Sequence, residues 1–202
     1  GYMRIAFFEI QGWEKPILKR MLKKHSLTFF KDPLKLENIE KAKNAEVISV
    51  FIYSKLDKKT IDKLPKVKLI TTRSTGFEHI DIRECAKRKI DVANVPAYGE
   101  NTVAEHTFAL ILALSRNVHK SYLRTLQRDY SIEGLKGFDL KSKTLGVIGS
   151  GRIGKHVIRI ARGFEMNVLV ADKHEDDFLA EQLNFKYVSF NELLKRSDII
   201  TL

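Results

Sequence analysis

The chain has 202 residues, room for one large or two small domains, and its 44% hydrophobic content is that of an ordinary globular protein. The net charge of +11 comes from 36 basic against 25 acidic residues, but the lysines lie in short runs mixed with leucines and acids, so solvated helix faces explain them and nucleic acid is not expected as a partner. No apolar run approaches the ~18 residues of a membrane span, no charged leader precedes an apolar stretch, and the one cysteine, Cys85, forms no internal disulfide; the expectation is a cytoplasmic protein with no membrane partner.

Short apolar segments open the chain. Arg4 to Phe8, Ser26 to Phe30, Glu46 to Phe51, Leu69 to Thr72 and Val92 to Val95 read as strands, and Lys15 to Lys24, Asp57 to Lys63 and Ile80 to Arg88 read as amphipathic helices between them. This alternation predicts an α/β unit over residues 3–98, with a mostly parallel sheet covered on both faces. Thr102 then begins a helix expected to run to about Leu126, with Thr102 as N-cap and Glu105 completing a capping box. Val103, Ala104, Phe108, Ile111, Leu112 and Leu114 cover more than one narrow stripe, which predicts burial of this helix against another domain or subunit.

A loop rich in Lys, Gly and Asp at Glu133 to Lys143 leads to a second unit over residues 99–202. Its start is the run Leu145-Gly146-Val147-Ile148-Gly149-Ser150-Gly151-Arg152-Ile153-Gly154: an apolar strand, a glycine turn and the first residues of a helix. Gly149 permits the reversal out of the strand, Gly151 leaves the backbone open to a pyrophosphate, and Gly154 lets helix and strand pack closely. A pyrophosphate there meets the unpaired amides at the positive end of the helix dipole. Arg152 adds a charge for it. The helix places Ile153, Val157, Ile160 and Ala161 at helical spacing, and the next strand, Val168 to Ala171, ends at Asp172. An acid there accepts hydrogen bonds from ribose hydroxyls and repels a 2′-phosphate, so the reading is NAD rather than NADP.

Asn191 to Arg196 reads as a small helix and Asp198 to Leu202 as a strand. A complete dinucleotide fold has two halves and six strands. Only the first half is present, so the chain is read as truncated in that domain, with a bare sheet edge at Ile199 and Ile200.

Two further segments accompany the glycine motif. They are Arg73-Ser74-Thr75-Gly76-Phe77-Glu78-His79-Ile80-Asp81, and the run from Asn94 through Pro96, Tyr98 and Thr102 to His106. With the glycine motif in this order, the chain resembles the D-isomer-specific 2-hydroxyacid dehydrogenases, most of all their D-lactate type, from residue 3 to residue 202. The resemblance implies a flavodoxin-like substrate domain followed by the first half of a Rossmann NAD-binding domain. It makes Thr75 and Gly76 the amides that hold a substrate carboxylate, in keeping with free amides in a turn. It also sets the Tyr98 hydroxyl at the substrate, and Thr102 near the nicotinamide of an NAD held by Gly149, Gly151, Arg152, Ile153, Gly154 and Asp172.

The activity so implied is oxidoreduction: NAD-dependent interconversion of a D-2-hydroxy acid and a 2-keto acid, D-lactate and pyruvate foremost, by a homodimer joined through the long helix. The family's catalytic His, Arg and Glu lie in the second half of the nucleotide domain, so no catalytic residue is expected among these 202 and the chain alone is expected to be inactive. His79 and His106 sit at helix starts, where capping or packing explains them; His25, His119, His156 and His174 lack a carboxylate at useful spacing. No metal-ligand cluster is read. Two other readings remain at this point: an NAD-sensing interaction protein of the corepressor type on the same fold, and a non-catalytic dimerising fragment. The keto acid itself is not legible, since a methylene in such a pocket is worth only ~1–3 kcal/mol.

Overall fold

Apolar segments of three or four residues, rich in β-branched side chains, form the first sheet in the computed structural model, which describes residues 1–202. Strands β1 (Arg4–Phe7), β2 (Ser26–Phe29), β3 (Val47–Val50), β4 (Leu69–Thr72) and β5 (Asp91–Ala93) alternate with helices α1 (Glu14–Met21), α2 (Lys58–Ile61) and α3 (Ile82–Lys87). All pairings are parallel, in the order β2-β1-β3-β4-β5. This is the flavodoxin-like order, whose switch point lies between β1 and β3. Ile48, Val50 and Ile70 are fully buried and pack with Phe8, Leu34 and Leu56 in one core, while Ile5, Phe7, Ile10 and Val47 form another. Asp57 and Asp81 accept the Thr60 and Glu84 amides and so start α2 and α3, each cap being worth ~1 kcal/mol.

The chain divides after Tyr98 into two compact units. The second holds α4 (Glu100–Ser115), α5 (Val118–Leu126), β6 (Thr144–Ile148), α6 (Arg152–Gly163), β7 (Asn167–Ala171), α7 (Asp177–Leu183), β8 (Lys186–Tyr187), α8 (Phe190–Arg196) and β9 (Ile199–Thr201). Its parallel sheet runs β8-β7-β6-β9, the beginning of the dinucleotide-binding order. Ala104, Phe108 and Ile111 of α4 share a core with Val157, Ile158 and Ala161 of α6, and Phe108 stacks on Phe164 at 5.5 Å. No helix is long and apolar enough to cross a membrane.

Three expectations about helices need correction. The helix expected over residues 102–126 is two helices, broken where Asn117 takes a left-handed conformation (φ 53°). The break has a remote cause: Phe138 N donates to Ser115 O at 3.0 Å, taking the carbonyl that a continuing helix needs, while Asn117 Nδ2 donates to the carbonyls of Leu135 and Lys136. Nor does Thr102 cap α4. The chain turns at Gly99, whose carbonyl accepts from Val103 N at 3.0 Å, so the helix begins at Glu100, and Glu105 receives the Asn101 amide instead of closing a capping box. Finally, α6 buries Ile158 where its apolar face was read through Ile153, which is 41% exposed at the helix start. The elements α7 and β8, and the 3₁₀ turn Leu36–Ala42, are too short to show a hydrophobic period and lie outside the expected elements.

Candidate functional site

In the first unit, the turn after β4 is heavily braced. The Arg73 guanidinium donates to Glu14 Oε1 (3.0 Å), Ser49 Oγ (3.0 Å), Phe8 O (2.8 Å) and Glu9 O (3.1 Å), tying the ends of β1, β3 and β4 to α1. Ser74 Oγ donates to Gly76 O at 2.7 Å, so the Thr72 hydroxyl, 2.5 Å away, donates to Ser74, and His79 Nε2 donates in turn to Thr72 Oγ1 at 3.1 Å. His79 thus spends its ring proton on holding the turn. On the other flank Thr75 Oγ1 donates to Val95 O, Asn94 Nδ2 donates to Thr75 O, and Val95 N donates to Ser74 O.

The Thr75 and Gly76 amides make no hydrogen bond within the chain, and both follow this fixed frame, so the turn presents two adjacent N–H donors to an anion. Gly76 is not needed for backbone reasons. Its φ is not positive, and a Cβ there would meet only the far end of the Glu78 side chain, at 2.7 Å. Tyr98, the last residue of this unit, is 64% exposed.

In the second unit the glycine turn joins β6 to α6. Gly149 has φ 97°, open to glycine at little cost, and its amide donates to Ala171 O at 2.9 Å. Gly151 is the N-cap of α6, and a Cβ built on it meets nothing within 4 Å, so space stands open at the helix's positive end. Gly154 is the opposite case: its Cβ would lie 2.1 Å from Gly149 O, which holds helix and turn in contact.

Asp172, one residue past β7, reaches across to this turn. Its Oδ2 accepts Ser150 N (2.6 Å) and Ser150 Oγ (2.8 Å), and its Oδ1 accepts His174 N (2.9 Å). The His174 amide first, then the Ser150 amide and hydroxyl, hold its carboxyl at about 2, below the usual carboxylate range. Tyr187 Oη lies 3.1 Å from Ser150 Oγ; neither residue stood out in the sequence, because the sheet alone brings β8 to the turn. Arg152 forms an ion pair with Glu100 (3.3 Å), which sets the first turn of α4, where Thr102 is exposed, beside the first turn of α6. Gly149, Gly151, Arg152, Ile153, Gly154, Thr102 and Asp172 therefore converge at one end of this sheet. Such an arrangement suits a dinucleotide: open amides for the pyrophosphate and a permanent anion for ribose hydroxyls. No three His, Cys, Asp or Glu side chains gather as metal ligands, and none of the six imidazoles bonds a carboxylate.

Residues 5–194 match the family model for the D-isomer specific 2-hydroxyacid dehydrogenase catalytic domain. A 2-hydroxyacid dehydrogenase homolog of Haemophilus influenzae is 35% identical over 204 residues, spanning 99% of this chain and 61% of its own length. D-lactate dehydrogenase of Escherichia coli is 32% identical, spanning 99% of this chain and 62% of its own. Among solved structures, the D-lactate dehydrogenase of Aquifex aeolicus complexed with NAD and lactic acid superposes with a TM-score of 0.90 at 38% identity, covering 98% of this chain and 59% of that one. The chain thus spans about three fifths of the length of the relatives it matches.

Proposed function

The chain belongs to the D-isomer specific 2-hydroxyacid dehydrogenases, and from that premise we propose that it carries the substrate domain (residues 3–98) and the first part of the NAD-binding domain (residues 99–202) of an enzyme interconverting D-lactate and pyruvate. The observation that carries the reading is the glycine turn with Asp172 hydrogen-bonded across its mouth. NAD, when bound, supplies or accepts the hydride at the substrate's C2. The chain's own residues bind and orient. The open turn at Gly149, Gly151 and Gly154 takes the pyrophosphate with the help of the first turn of α6, where Arg152 and Ile153 stand. Asp172 takes the adenosine ribose and repels a 2′-phosphate, Thr102 borders the nicotinamide, Thr75 and Gly76 hold the substrate carboxylate, and Tyr98 offers its hydroxyl to the substrate. The single buried thiol, Cys85, is in keeping with a cytoplasmic setting. The exposed Leu110, Leu114, Val118, Tyr122 and Leu126 of α4 and α5 form the kind of apolar face that supports a homodimer.

The test is pyruvate-dependent oxidation of NADH by the complete gene product, beside residues 1–202 alone. Turnover is expected from the former and none from the latter, because no imidazole here is backed by a carboxylate to donate the proton; such a group is worth ~10²–10⁴-fold in rate. Turnover by residues 1–202 within about tenfold of the complete product would mean that one of the six histidines is the acid. For the carboxylate nest, Gly76→Ala should leave the melting temperature nearly unchanged, since only the exposed end of the Glu78 side chain must move, while raising the KM for keto acid and leaving NADH affinity intact. Equal damage to both ligands would show that Gly76 serves the fold and not the substrate.

A further inference from the structure

Glu9 follows β1 in a conformation that side chains avoid, φ 57°, and is only 7% exposed. No lysine or arginine lies within ion-pair distance of it. Its carboxylate is instead surrounded by donors from one loop: Oε2 accepts Phe51 N (2.8 Å), Ser54 N (3.2 Å) and Ser54 Oγ (2.6 Å), and Oε1 accepts Tyr53 N (2.7 Å). A buried charge without a counter-ion and a left-handed glutamate are each unfavourable, and both persist only where surrounding structure compensates them. Here the four donors do so.

The position matters. β1 and β3 flank the switch point of a 2-1-3-4-5 sheet, and ligands of such sheets bind outside the carboxyl ends of the strands there. The loop held by Glu9 leaves β3 next to the turn leaving β4: Val50 is the register partner of Thr72, and Arg73 N donates to Val50 O at 2.9 Å. Residues 51–54 therefore leave the sheet beside the strand end that leads into the Thr75-Gly76 turn, with Ile52 and Tyr53 exposed. Arg73 clamps the backbone of Glu9 itself through its carbonyl, so the carboxylate is aimed by the same residue that precedes the nest.

We infer that Glu9 is a positioning residue of the keto-acid site: through its carboxylate it fixes residues 51–54 as a border of the pocket beside Thr75 and Gly76. This rests on the dehydrogenase reading above. A buried glutamate that served folding alone would be equally well placed to stabilise the whole unit, and the two roles give different results.

The experiment compares wild-type complete gene product with Glu9→Gln. Glutamine keeps the shape but turns one acceptor oxygen into an amide donor facing the Tyr53 or Phe51 amide. Hydrogen exchange at the amides of Phe51, Tyr53 and Ser54 should speed by at least about tenfold, and the KM for pyruvate should rise by at least about tenfold, with NADH affinity nearly unchanged and a modest fall in melting temperature from the lost buried hydrogen bonds. Glu9→Asp, which keeps the charge but is one methylene short, is the second variant should glutamine unfold the chain, and it should give the same split. Faster exchange with an unchanged KM would overturn the inference, as would a parallel fall in melting temperature, NADH affinity and turnover. A wild type that reduces no keto acid, with the exchange response intact, would instead overturn the dehydrogenase reading and leave Glu9 as a loop anchor only.

Discussion

Gly151→Ala is expected to leave the second unit folded and to abolish tight NADH binding, whereas Gly154→Ala is expected to damage the fold itself. The two glycines stand three residues apart in one motif, yet their surroundings differ completely. A Cβ on Gly151 enters open space, and the backbone there has φ −66°, accessible to any residue. The only intrinsic penalty is that alanine is a poorer N-cap than glycine, below ~1 kcal/mol. The open space, however, is where a pyrophosphate would approach the amides, so the methyl group should lower NADH affinity by about a hundredfold, or ~2.7 kcal/mol. On Gly154 the same methyl group lies 2.1 Å from Gly149 O and 3.7 Å from Val147 Cγ1. Backbone cannot turn aside as a side chain can, so α6 must lift from β6, loosening the core shared by Val147, Val157 and Ala161, at a cost of ~1–3 kcal/mol or more. Thermal melts and NADH fluorescence titrations of both variants separate the effects. A Gly151→Ala protein that binds NADH as wild type would remove the turn from the cofactor site; a Gly154→Ala protein that melts as wild type would show that helix and turn are not in the contact described.

The strands, the glycine turn and the acid at the end of β7 were legible in sequence because each is a local pattern: four alternating or β-branched residues, three glycines at fixed spacing, one acid past an apolar run. What escaped depends on residues far along the chain. The break between α4 and α5 is fixed by Phe138 taking the Ser115 carbonyl, and within Glu100 to Leu126 only Asn117, a residue that tolerates the left-handed conformation, marks it. Thr102 and Glu105 match a capping box, yet the turn at Gly99 starts the helix three residues earlier and leaves the pattern unused. The strand read at Val92 to Val95 is Asp91–Ala93, because Val95 N leaves the ladder to serve the Ser74 carbonyl. On α6 the apolar stripe begins at Val157 and not at Ile153, since the helix start faces the open turn. Glu9 shows the limit most plainly: in sequence it is one acid after Phe7-Phe8, and its four donors lie more than forty residues away.

Asp172→Ala in the complete gene product is expected to weaken NADH binding by about ten- to a hundredfold and to narrow the preference over NADPH, because a ribose acceptor and a like-charge barrier are lost together; hydrogen bonds to a charged group are worth ~1.5–3 kcal/mol each. The lower end of that range is the better estimate. A carboxylate offers about four acceptor positions, and three are occupied by the Ser150 amide, the Ser150 hydroxyl and the His174 amide. A ribose diol needs two, so one donor must yield. The Ser150 hydroxyl is the one with another partner at hand, Tyr187 Oη at 3.1 Å, and its release offsets part of the gain from the second ribose bond. Asp172→Asn divides the two contributions: it retains an acceptor for the turn while removing the charge, so NADPH should gain relative to NADH with less loss of NADH affinity than in the alanine variant. The sign of the pH dependence follows from the same bonds. With its carboxyl held at about 2, Asp172 remains an anion throughout the working range of any binding assay, so any weakening of its barrier to a 2′-phosphate between pH 8 and about 5 comes from protonation of the phosphate, whose second pKa is about 6, and not from Asp172. Paired NADH and NADPH titrations of the three proteins at neutral pH decide the matter: a wild type that binds NADPH more tightly, or an asparagine variant with unchanged preference, would take cofactor selection away from Asp172.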